Sequence, residues 1–380
     1  MNIKLDEKLM KMMTYMAAGF VLFVIIIFLF TGCSKTKTYK LENIHELEEK
    51  LIEMARNYLE RNPDSKPVEG SEITLSLESF IENGEIKPLD EIIIDAEGCT
   101  GQINVLNNYG YLLYLPKIDC GEFYRAKTLA DWILTEADIV TTGNGLYAQG
   151  GGYIYRGDTV DNHLAFAGRL WVILRINADG SIQIMEVDRR ETTVWDNRFN
   201  VNQNFASGIN DFVHNNVNSR VKDRLEAFWA DEKEFSEKTK GHILAQDLCV
   251  GKRAEEAKGK DGALECAQRM PNQMLGLITV HEFMQASLDP DCVHTTSVPC
   301  LNYNFLAVLR PSYWTLTADS ETTHRVFRVS DNINRSNATS TAATKLTVLL
   351  TPEVLYSRGN GSLEEPFKLI TSLEPLPERR

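Results

Sequence analysis

The stretch LWVILRINADGSIQIME, residues 170–186, carries the clearest fold signal in the chain. Two apolar runs, residues 170–176 and 181–186, flank the turn sequence NADG. Turn-forming residues between two strand-like runs predict a β-hairpin. Residues 163–168 (HLAFAG), just before this hairpin, alternate between apolar and less apolar side chains. We therefore expect a further strand there.

A helix and a second hairpin are predicted nearer the N-terminus. Residues 41–61 carry apolar side chains at steps of three and four residues, which is typical of an amphipathic helix. Pro63 ends this pattern. Further along, residues 102–106 and 111–115 are strand-like runs separated by the turn sequence NNYG. This arrangement predicts a hairpin that follows the helix.

Six cysteines fall into three local pairs, which are Cys99 with Cys120, Cys249 with Cys266, and Cys292 with Cys300. The first pair is equidistant from the centre of the predicted hairpin, so the two residues would face each other across the strands. Cross-strand neighbours have the Cα separation of about 5.5 Å that a disulfide requires. An even, locally clustered set therefore predicts three disulfides and an oxidising environment.

The N-terminus contains a long apolar stretch, MAAGFVLFVIIIFLF at residues 16–30, and no charged residue occurs between Lys11 and Lys35. A bilayer core needs about 20 mostly apolar residues in a helix. We therefore predict a transmembrane anchor over residues 14–33, in contact with membrane lipid, after a cytoplasmic tail over residues 1–13. Similar numbers of lysines precede and follow the span, so the positive-inside rule does not give its orientation. The cysteines do, because the predicted disulfides place the residues after the span on the oxidising side. The predicted location is the cell membrane, single-pass, with the C-terminal domains extracellular.

Cys33 lies at the end of this apolar stretch, directly after the sequence LFTG. The segment looks like a bacterial lipobox, in which the cysteine is acylated after cleavage. It departs from the usual pattern because Phe30 stands where Leu is favoured. An uncleaved anchor and a cleaved lipoprotein with lipidation at Cys33 both remain open.

A helix followed by a disulfide-closed hairpin, just beyond a membrane segment, resembles the head of a bacterial pilin-like protein. The resemblance covers about residues 41–120. A prepilin peptidase site would require a Gly before the apolar run and a Glu five residues after the cleavage point. Here Gly19-Phe20 lies inside the run and no such Glu follows. The resemblance therefore implies a pilin-like fold without implying assembly into a pilus.

A second resemblance is carried by five phrases, which are FAGRLWVILRIN (166–177), DGSI (179–182), GLITVHEF (276–283), YWTLT (313–317) and GNGS (359–362). In this order they resemble an uncharacterised domain of bacterial surface proteins. That domain is related to the C-type-lectin-like, formylglycine-generating-enzyme-like fold. The resemblance covers about residues 150–370, implies a mixed α+β domain, and does not by itself define a function.

We accordingly predict the α+β fold class for the whole chain. The predicted units are the cytoplasmic tail (1–13), the transmembrane anchor (14–33), the pilin-like helix and disulfide-closed hairpin (34–122), a connector (123–152), an α+β lectin-like domain (153–371) and a tail (372–380). Within the lectin-like domain we expect a helix over about residues 218–229 and a polar loop over residues 332–344.

Charge and motifs exclude several classes of function. The net charge of −13 disfavours nucleic acid as a partner. The sequence HEFMQ, which begins at His281, lacks the second His at the i+4 position that a zinc protease needs. We interpret Glu282 as part of a capping box with Thr279 that opens a short helix. Treating NADG as a calcium loop would place Arg175 where an acid is required. We predict no cofactor, no metal and no catalytic residue.

The expected function is non-enzymatic binding or adhesion at a surface, with a glycan or a protein as ligand. One alternative is a structural subunit of a pilus-like or secretion assembly that associates through the 41–61 helix. A second alternative is an enzyme whose site is assembled from scattered residues such as Asp196, His214 and Glu282. The ligand and the oligomeric state are open at this point.

Overall fold

The computed structural model describes residues 41–85, 99–122, 124–189, 191–204 and 207–370. The predicted cytoplasmic tail (1–13), the membrane anchor (14–33), Cys33 and the C-terminal tail (372–380) lie outside the described residues. In the ranges given above, no helix is long and apolar enough to cross a membrane. The predicted single-pass cell-membrane location is corrected accordingly, because the described residues do not support it.

The described residues are built mainly from strands, and the predicted α+β fold class is wrong. The α-helices are α1 (Leu41–Arg61), α2 (Leu77–Glu82), α3 (Leu129–Glu136), α4 (Arg220–Ala230), α5 (Glu237–Lys240) and α6 (Val280–Ala286). The strands are β1 (Glu72–Ser76), β2 (Thr100–Asn108), β3 (Tyr111–Asp119), β4 (Gly145–Gln149), β5 (Gly152–Arg156), β6 (His163–Phe166), β7 (Arg169–Ile176), β8 (Ile182–Glu186), β9 (Thr192–Val194), β10 (Val213–His214), β11 (Val217–Asn218), β12 (Ile243–Leu244), β13 (Gln246–Cys249), β14 (Lys252–Arg253), β15 (Arg269–Gln273), β16 (Tyr313–Asp319), β17 (Arg325–Val329), β18 (Ile333–Asn337), β19 (Thr341–Ala343), β20 (Thr347–Leu350), β21 (Tyr356–Arg358) and β22 (Phe367–Leu369). Many of these strands are too short to show a periodic pattern in the sequence.

The N-terminal part of the described chain is a helix packed on a three-stranded sheet of order β1-β2-β3. The predicted helix and the predicted hairpin are both confirmed, and the hairpin has 9 residues in each strand. Helix α1 contacts β3 along its apolar side. Five side chains on that side are fully buried, which are Ile44, Leu47, Leu51, Ala55 and Leu59. Burial of this stripe is the main force that holds the helix on the sheet.

The hairpin predicted over residues 170–186 is confirmed as β7 and β8, at the centre of a nine-stranded sheet. The strand order is β12-β20-β8-β7-β6-β22-β21, with β5 paired to β7 and β4 paired to β5. Trp171 in β7 is completely buried, and its indole Nε1 donates a hydrogen bond of 2.8 Å to the carbonyl oxygen of Phe166. The apolar run over residues 170–176 therefore serves as the middle of the sheet.

A six-stranded sheet of order β18-β17-β16-β19-β9, with β14 paired to β16, completes the larger part of the fold. Residues 332–344 were predicted to be a polar loop and instead form β18 and β19. The prediction was wrong because it relied on apolar alternation, which this segment lacks. Its backbone groups pair with β17 through a ladder that runs from Arg325–Asn337 to Val329–Ile333. Such backbone pairing does not require apolar side chains.

Two clusters of buried apolar side chains form the cores. The smaller cluster comes mainly from α1 and the β2–β3 hairpin, and the larger cluster includes residues of both large sheets and of α3, α4 and α6. Asn108 connects the two parts, because its buried side-chain amide donates to the carbonyl oxygens of Gly241 (3.1 Å) and Ile243 (2.7 Å). Residues 145–152, within the predicted connector, form the β4–β5 hairpin, and Leu146 in this hairpin belongs to the larger core.

The structure contains disulfide bonds, as the cysteine pattern predicts. The bonded pairs and their Cα–Cα distances are Cys99–Cys120 (4.2 Å), Cys249–Cys266 (4.3 Å) and Cys292–Cys300 (4.4 Å). Each disulfide closes a short loop, which limits the conformations open to the unfolded chain and thereby favours the folded state.

Truncating the buried stripe of α1 should destabilise the protein. We expect Leu51→Ala to lower the free energy of unfolding by about 2–5 kcal/mol, because it removes apolar contacts and leaves a cavity. Glu53→Ala, at an exposed position of the same helix, should change it by less than about 0.5 kcal/mol. Urea unfolding under non-reducing conditions, followed by circular dichroism, measures both values. Equal effects of the two variants would contradict the packing described for α1.

Candidate functional site

A cleft of about 430 Å³ opens where α6 meets the nine-stranded sheet. We call it the polar cleft, and its lining residues are Arg175, Asn177, Gln183, Ala245, Gln246, Asp247, Leu248, Cys249, Cys266, Arg269, Leu277, Thr279, His281, Glu282, Leu316 and Leu349. Three of the five phrases quoted above meet here, namely those at residues 166–177, 276–283 and 313–317. We take the polar cleft as the candidate functional site because polar and charged side chains from segments far apart in the sequence meet in it.

The sheet contributes a row of neighbouring side chains to the cleft. Arg175 in β7 lies directly opposite Gln183 in β8, and Gln183 lies opposite Leu349 in β20. Directly opposed residues of antiparallel strands project from the same face of a sheet. Ile182 and Ile184, which flank Gln183 in the chain, are fully buried. Alternation along β8 therefore directs the amide toward the cleft and its apolar neighbours into the core.

Glu282 on α6 is held firmly by its neighbours. Gln183 Nε2 donates to Glu282 Oε1 at 2.8 Å. The other oxygen, Oε2, accepts from the Thr279 backbone N–H at 2.7 Å and from the Thr279 hydroxyl at 2.6 Å. Thr279 and Glu282 thus form the predicted capping box, which is confirmed. Because both of its oxygens already accept hydrogen bonds, this carboxylate fixes α6 against the sheet.

His281 adopts a defined orientation behind the cleft. The Thr279 hydroxyl carries one hydrogen, which it donates to Glu282, since a carboxylate can only accept. His281 Nδ1, at 2.9 Å from the Thr279 oxygen, must then be the donor in that second contact. The remaining ring nitrogen, Nε2, faces Gly262, where an added Cβ would lie only 2.7 Å away. The imidazole is therefore confined on both sides.

A buried ion pair supports the back of the cleft. Glu265 and Arg253 are 0% and 1% exposed, and Arg253 Nη1 donates to Glu265 Oε2 at 3.0 Å. Glu265 Oε1 also accepts the backbone N–H of His281 at 3.0 Å. Burial opposes ionisation of Glu265, but the neighbouring His281 and the Arg253 guanidinium outweigh it and hold the pKa of this carboxyl below its ordinary value.

Two hydrogen-bond donors at the cleft have no acceptor. Arg175 Nε and Gln246 Nε2 are both buried and find no partner among the residues that the structure describes. A buried polar group without a partner is costly, and it marks a place where water or a ligand supplies the missing bond. Since both open groups are donors, the matching ligand atoms are acceptors such as hydroxyl, carbonyl or carboxylate oxygens.

The residues proposed for an unrecognised enzyme do not come together. Asp196 is buried and accepts a hydrogen bond from Arg198 Nε at 2.7 Å. His214 Nδ1 lies 2.6 Å from Asp211 Oδ2, and Glu282 lines the polar cleft. No hydrogen bond or ion pair of the described residues joins any two of the three proposed residues. Within the same ranges, no group of three His, Cys, Asp or Glu side chains is placed to hold a metal ion.

The sequence contained an unused signal for this site. Arg175 interrupts the apolar run LWVILRI, and Gln183 interrupts the run SIQIM. A polar side chain inside a strand that is otherwise apolar has to find a polar environment. We did not single out either residue as a binding residue, and Gln246 stands in a segment with no distinctive pattern. Only the fold places these three residues around one cleft.

A larger cavity of about 660 Å³ lies beside Trp132 and Tyr356. Their rings are stacked at 4.0 Å and nearly parallel, and the Lys127 ammonium lies 5.6 Å from the centre of the Trp132 ring. Both the Tyr356 ring and the Lys127 ammonium therefore already pack against the Trp132 ring. None of the described residues that line this cavity carries a buried polar atom lacking a hydrogen bond. We favour the polar cleft as the binding site because its lining includes a half-buried arginine, Arg175, without an ion pair to any described residue.

Comparison of the chain with protein-family models, with curated proteins and with solved structures found no match. The pilin-like and lectin-like resemblances therefore stay predictions, and the case for function depends on the geometry of the site.

Neutralising Glu265 should destabilise the protein in a pH-dependent way. At pH 7 we expect Glu265→Gln to lower the free energy of unfolding by about 3–5 kcal/mol, because Arg253 is left buried without its counter-charge. The pKa of Glu265 is lowered in the folded state, so its contribution is complete above the ordinary glutamate pKa of about 4.3 and disappears as the pH falls through the folded-state value. The difference between the two proteins should therefore shrink in acid.

Urea unfolding at several pH values between about 7 and 3 measures this difference. Glu364→Gln, at an exposed position, is the matched control and should change stability by less than about 0.5 kcal/mol at each pH. A loss for Glu265→Gln that is equally large at pH 3 and pH 7 would show that the charge of Glu265 is not its cause.

Proposed function

We propose that this chain is a binding protein that recognises a glycan in the polar cleft and does not transform it. The observation that carries the proposal is the pair of open donors, Arg175 Nε and Gln246 Nε2, at a cleft that is otherwise satisfied. A binding site requires polar groups that are fixed in place and that the ligand can reach. The side chain of Arg175 lines the cleft and makes no hydrogen bond or ion pair with any described residue, so its guanidinium is the group best placed to meet this requirement.

Sugar recognition fits the chemistry of the lining. The cleft presents the guanidinium of Arg175 and the amides of Asn177, Gln183 and Gln246. The guanidinium donates and the amides both donate and accept in fixed directions, which suits ligands with several hydroxyl groups. The volume of about 430 Å³ lies within the range of small-ligand sites. A protein partner would need a broad surface, whereas this site is a small concave cleft.

Binding accounts for the site better than catalysis does. General acid–base chemistry needs a group that can exchange a proton with the ligand. Both oxygens of Glu282 accept hydrogen bonds from Gln183 and Thr279. His281 donates from Nδ1 to Thr279 and faces Gly262 with Nε2. The Glu282 carboxylate and the Nδ1 of His281 are thus engaged in holding the cleft together.

The disulfides are consistent with this proposal. Disulfides persist in oxidising environments, where glycans are common ligands. Cys249–Cys266 lies in the lining of the cleft itself. It ties β13, which carries Gln246, to the segment that carries Glu265. The covalent link therefore helps to keep an open donor in position before any ligand arrives.

The alternative of a structural subunit has less support. It requires association through α1, but the apolar side of this helix is already buried against the β2–β3 hairpin. The outer side carries charged residues such as Glu46, Lys50 and Glu53. Self-association through this helix would have to rely on charged side chains, which contribute little to a stable interface.

A glycan array tests the proposed function, followed by titration calorimetry on the best-bound glycan with the full chain. We expect Gln246→Ala to weaken binding by about three- to tenfold, which is the usual net value of one hydrogen bond. The stability of this variant should be nearly unchanged, since Gln246 Nε2 has no partner to lose in the described structure. Gln149→Ala, at an exposed strand position outside the cleft, is the matched control and should bind normally. Failure of the unmodified chain to bind any glycan would refute the proposal.

A further inference from the structure

We propose that the glycan carries a carboxylate, as uronic and sialic acids do, and that Arg175 binds this group. The inference rests on the proposed function and adds a ligand class to the same site. It follows from the charge and the open hydrogen-bonding capacity of one side chain in the polar cleft.

Arg175 differs from the arginines of this fold that pair with buried acids. Arg189 pairs with Glu186 at 2.6 Å, and Arg253 pairs with Glu265 at 3.0 Å. Arg335, which is 20% exposed, pairs with Asp319 at 3.2 Å and with other acids. Arg175 makes no ion pair with any described residue, and its Nε is buried without a hydrogen bond. A charged group removed from water is costly unless a counter-charge is present.

No carboxylate of the cleft compensates Arg175. The charged side chains that line the cleft are Arg175, Arg269, Asp247 and Glu282. Glu282 is close by, but its oxygens accept from Gln183 and Thr279 rather than from the guanidinium. Asp247 and Arg269 are exposed, where water screens their charge. No described carboxylate therefore lies within ion-pair distance of this half-buried cation, and a ligand could supply one.

A carboxylate matches the guanidinium of Arg175 in shape as well as in charge. A guanidinium presents parallel N–H groups that fit the two oxygens of a carboxylate. Arg175 is held on the sheet beside Gln183, so its stem has a defined position. Gln246 Nε2, the second open donor, would then bind a hydroxyl or ring oxygen of the same sugar. One acidic sugar residue would satisfy both donors.

The test compares acidic glycans with neutral counterparts that are otherwise identical. An array should contain uronic acid oligosaccharides with their carboxyl-reduced forms, and sialylated glycans with their desialylated forms. We expect the full chain to bind the acidic member of at least one such pair about tenfold more tightly or better, as a charged hydrogen bond allows.

Arg175→Gln should reduce this preference to less than about twofold. It should weaken binding of the acidic member about tenfold more than it weakens binding of the neutral member, because only the acidic member loses a charged hydrogen bond. Arg358→Gln is the matched control, because it removes the same charge from an exposed strand position outside the cleft. Circular dichroism establishes that each variant is folded.

If Arg175→Gln does not fold, the unmodified chain still decides the question. Its affinity for the acidic member should fall as salt is raised, while its affinity for the neutral member should not. Equal binding of acidic and neutral members would overturn this inference and leave glycan binding intact. Absence of binding to every glycan would overturn both proposals together.

Discussion

The buried ion pair between Arg253 and Glu265 is the constraint on which the candidate site depends. Arg253 also donates to the Thr295 hydroxyl at 3.1 Å and to the carbonyl oxygen of Gly259 at 2.9 Å. Glu265 in turn accepts the backbone N–H of His281 at the start of α6. One pair of charges therefore links β14, two loops and a helix that are separate in the sequence. Because neither charge is exposed, each depends on the other to remain in the interior.

From this pair, fixed hydrogen bonds lead outward to the cleft. His281 contacts Thr279, Thr279 contacts Glu282, and Glu282 accepts the amide of Gln183 on the sheet. The polar groups in this series of hydrogen bonds are paired with one another, so they serve to hold the structure of the cleft, as its scaffold. Arg175 and Gln246, next to the scaffold, keep donors that nothing in the described chain uses. This division between satisfied and open groups is what a preformed binding site requires, because the ligand then does not have to reorganise the protein.

The same division explains why residues whose types suggest catalysis or metal binding are not the best candidates for function. His281 and Glu282 attract attention as a zinc-protease fragment, but both belong to the scaffold. Asp196 and His214 each have a partner nearby in the sequence, Arg198 and Asp211. Arg175 looked like a strand residue, and its lack of a counter-charge distinguishes it. A function argued from residue type alone would select side chains that the structure places in the scaffold.

The sequence by itself determined the features that depend on near neighbours. These are helix α1, the two hairpins centred on NNYG and NADG, the capping box at Thr279 and the disulfide bonding of the cysteines. Each follows from side-chain spacing over a few turns or from closing a short loop. Only the tertiary structure decided the predominance of strands, the pairing of polar residues 332–344 and the meeting of Arg175, Gln246 and Glu282 at one cleft. These features depend on contacts between segments that are far apart in the chain, and no local pattern encodes which distant segment a side chain will meet.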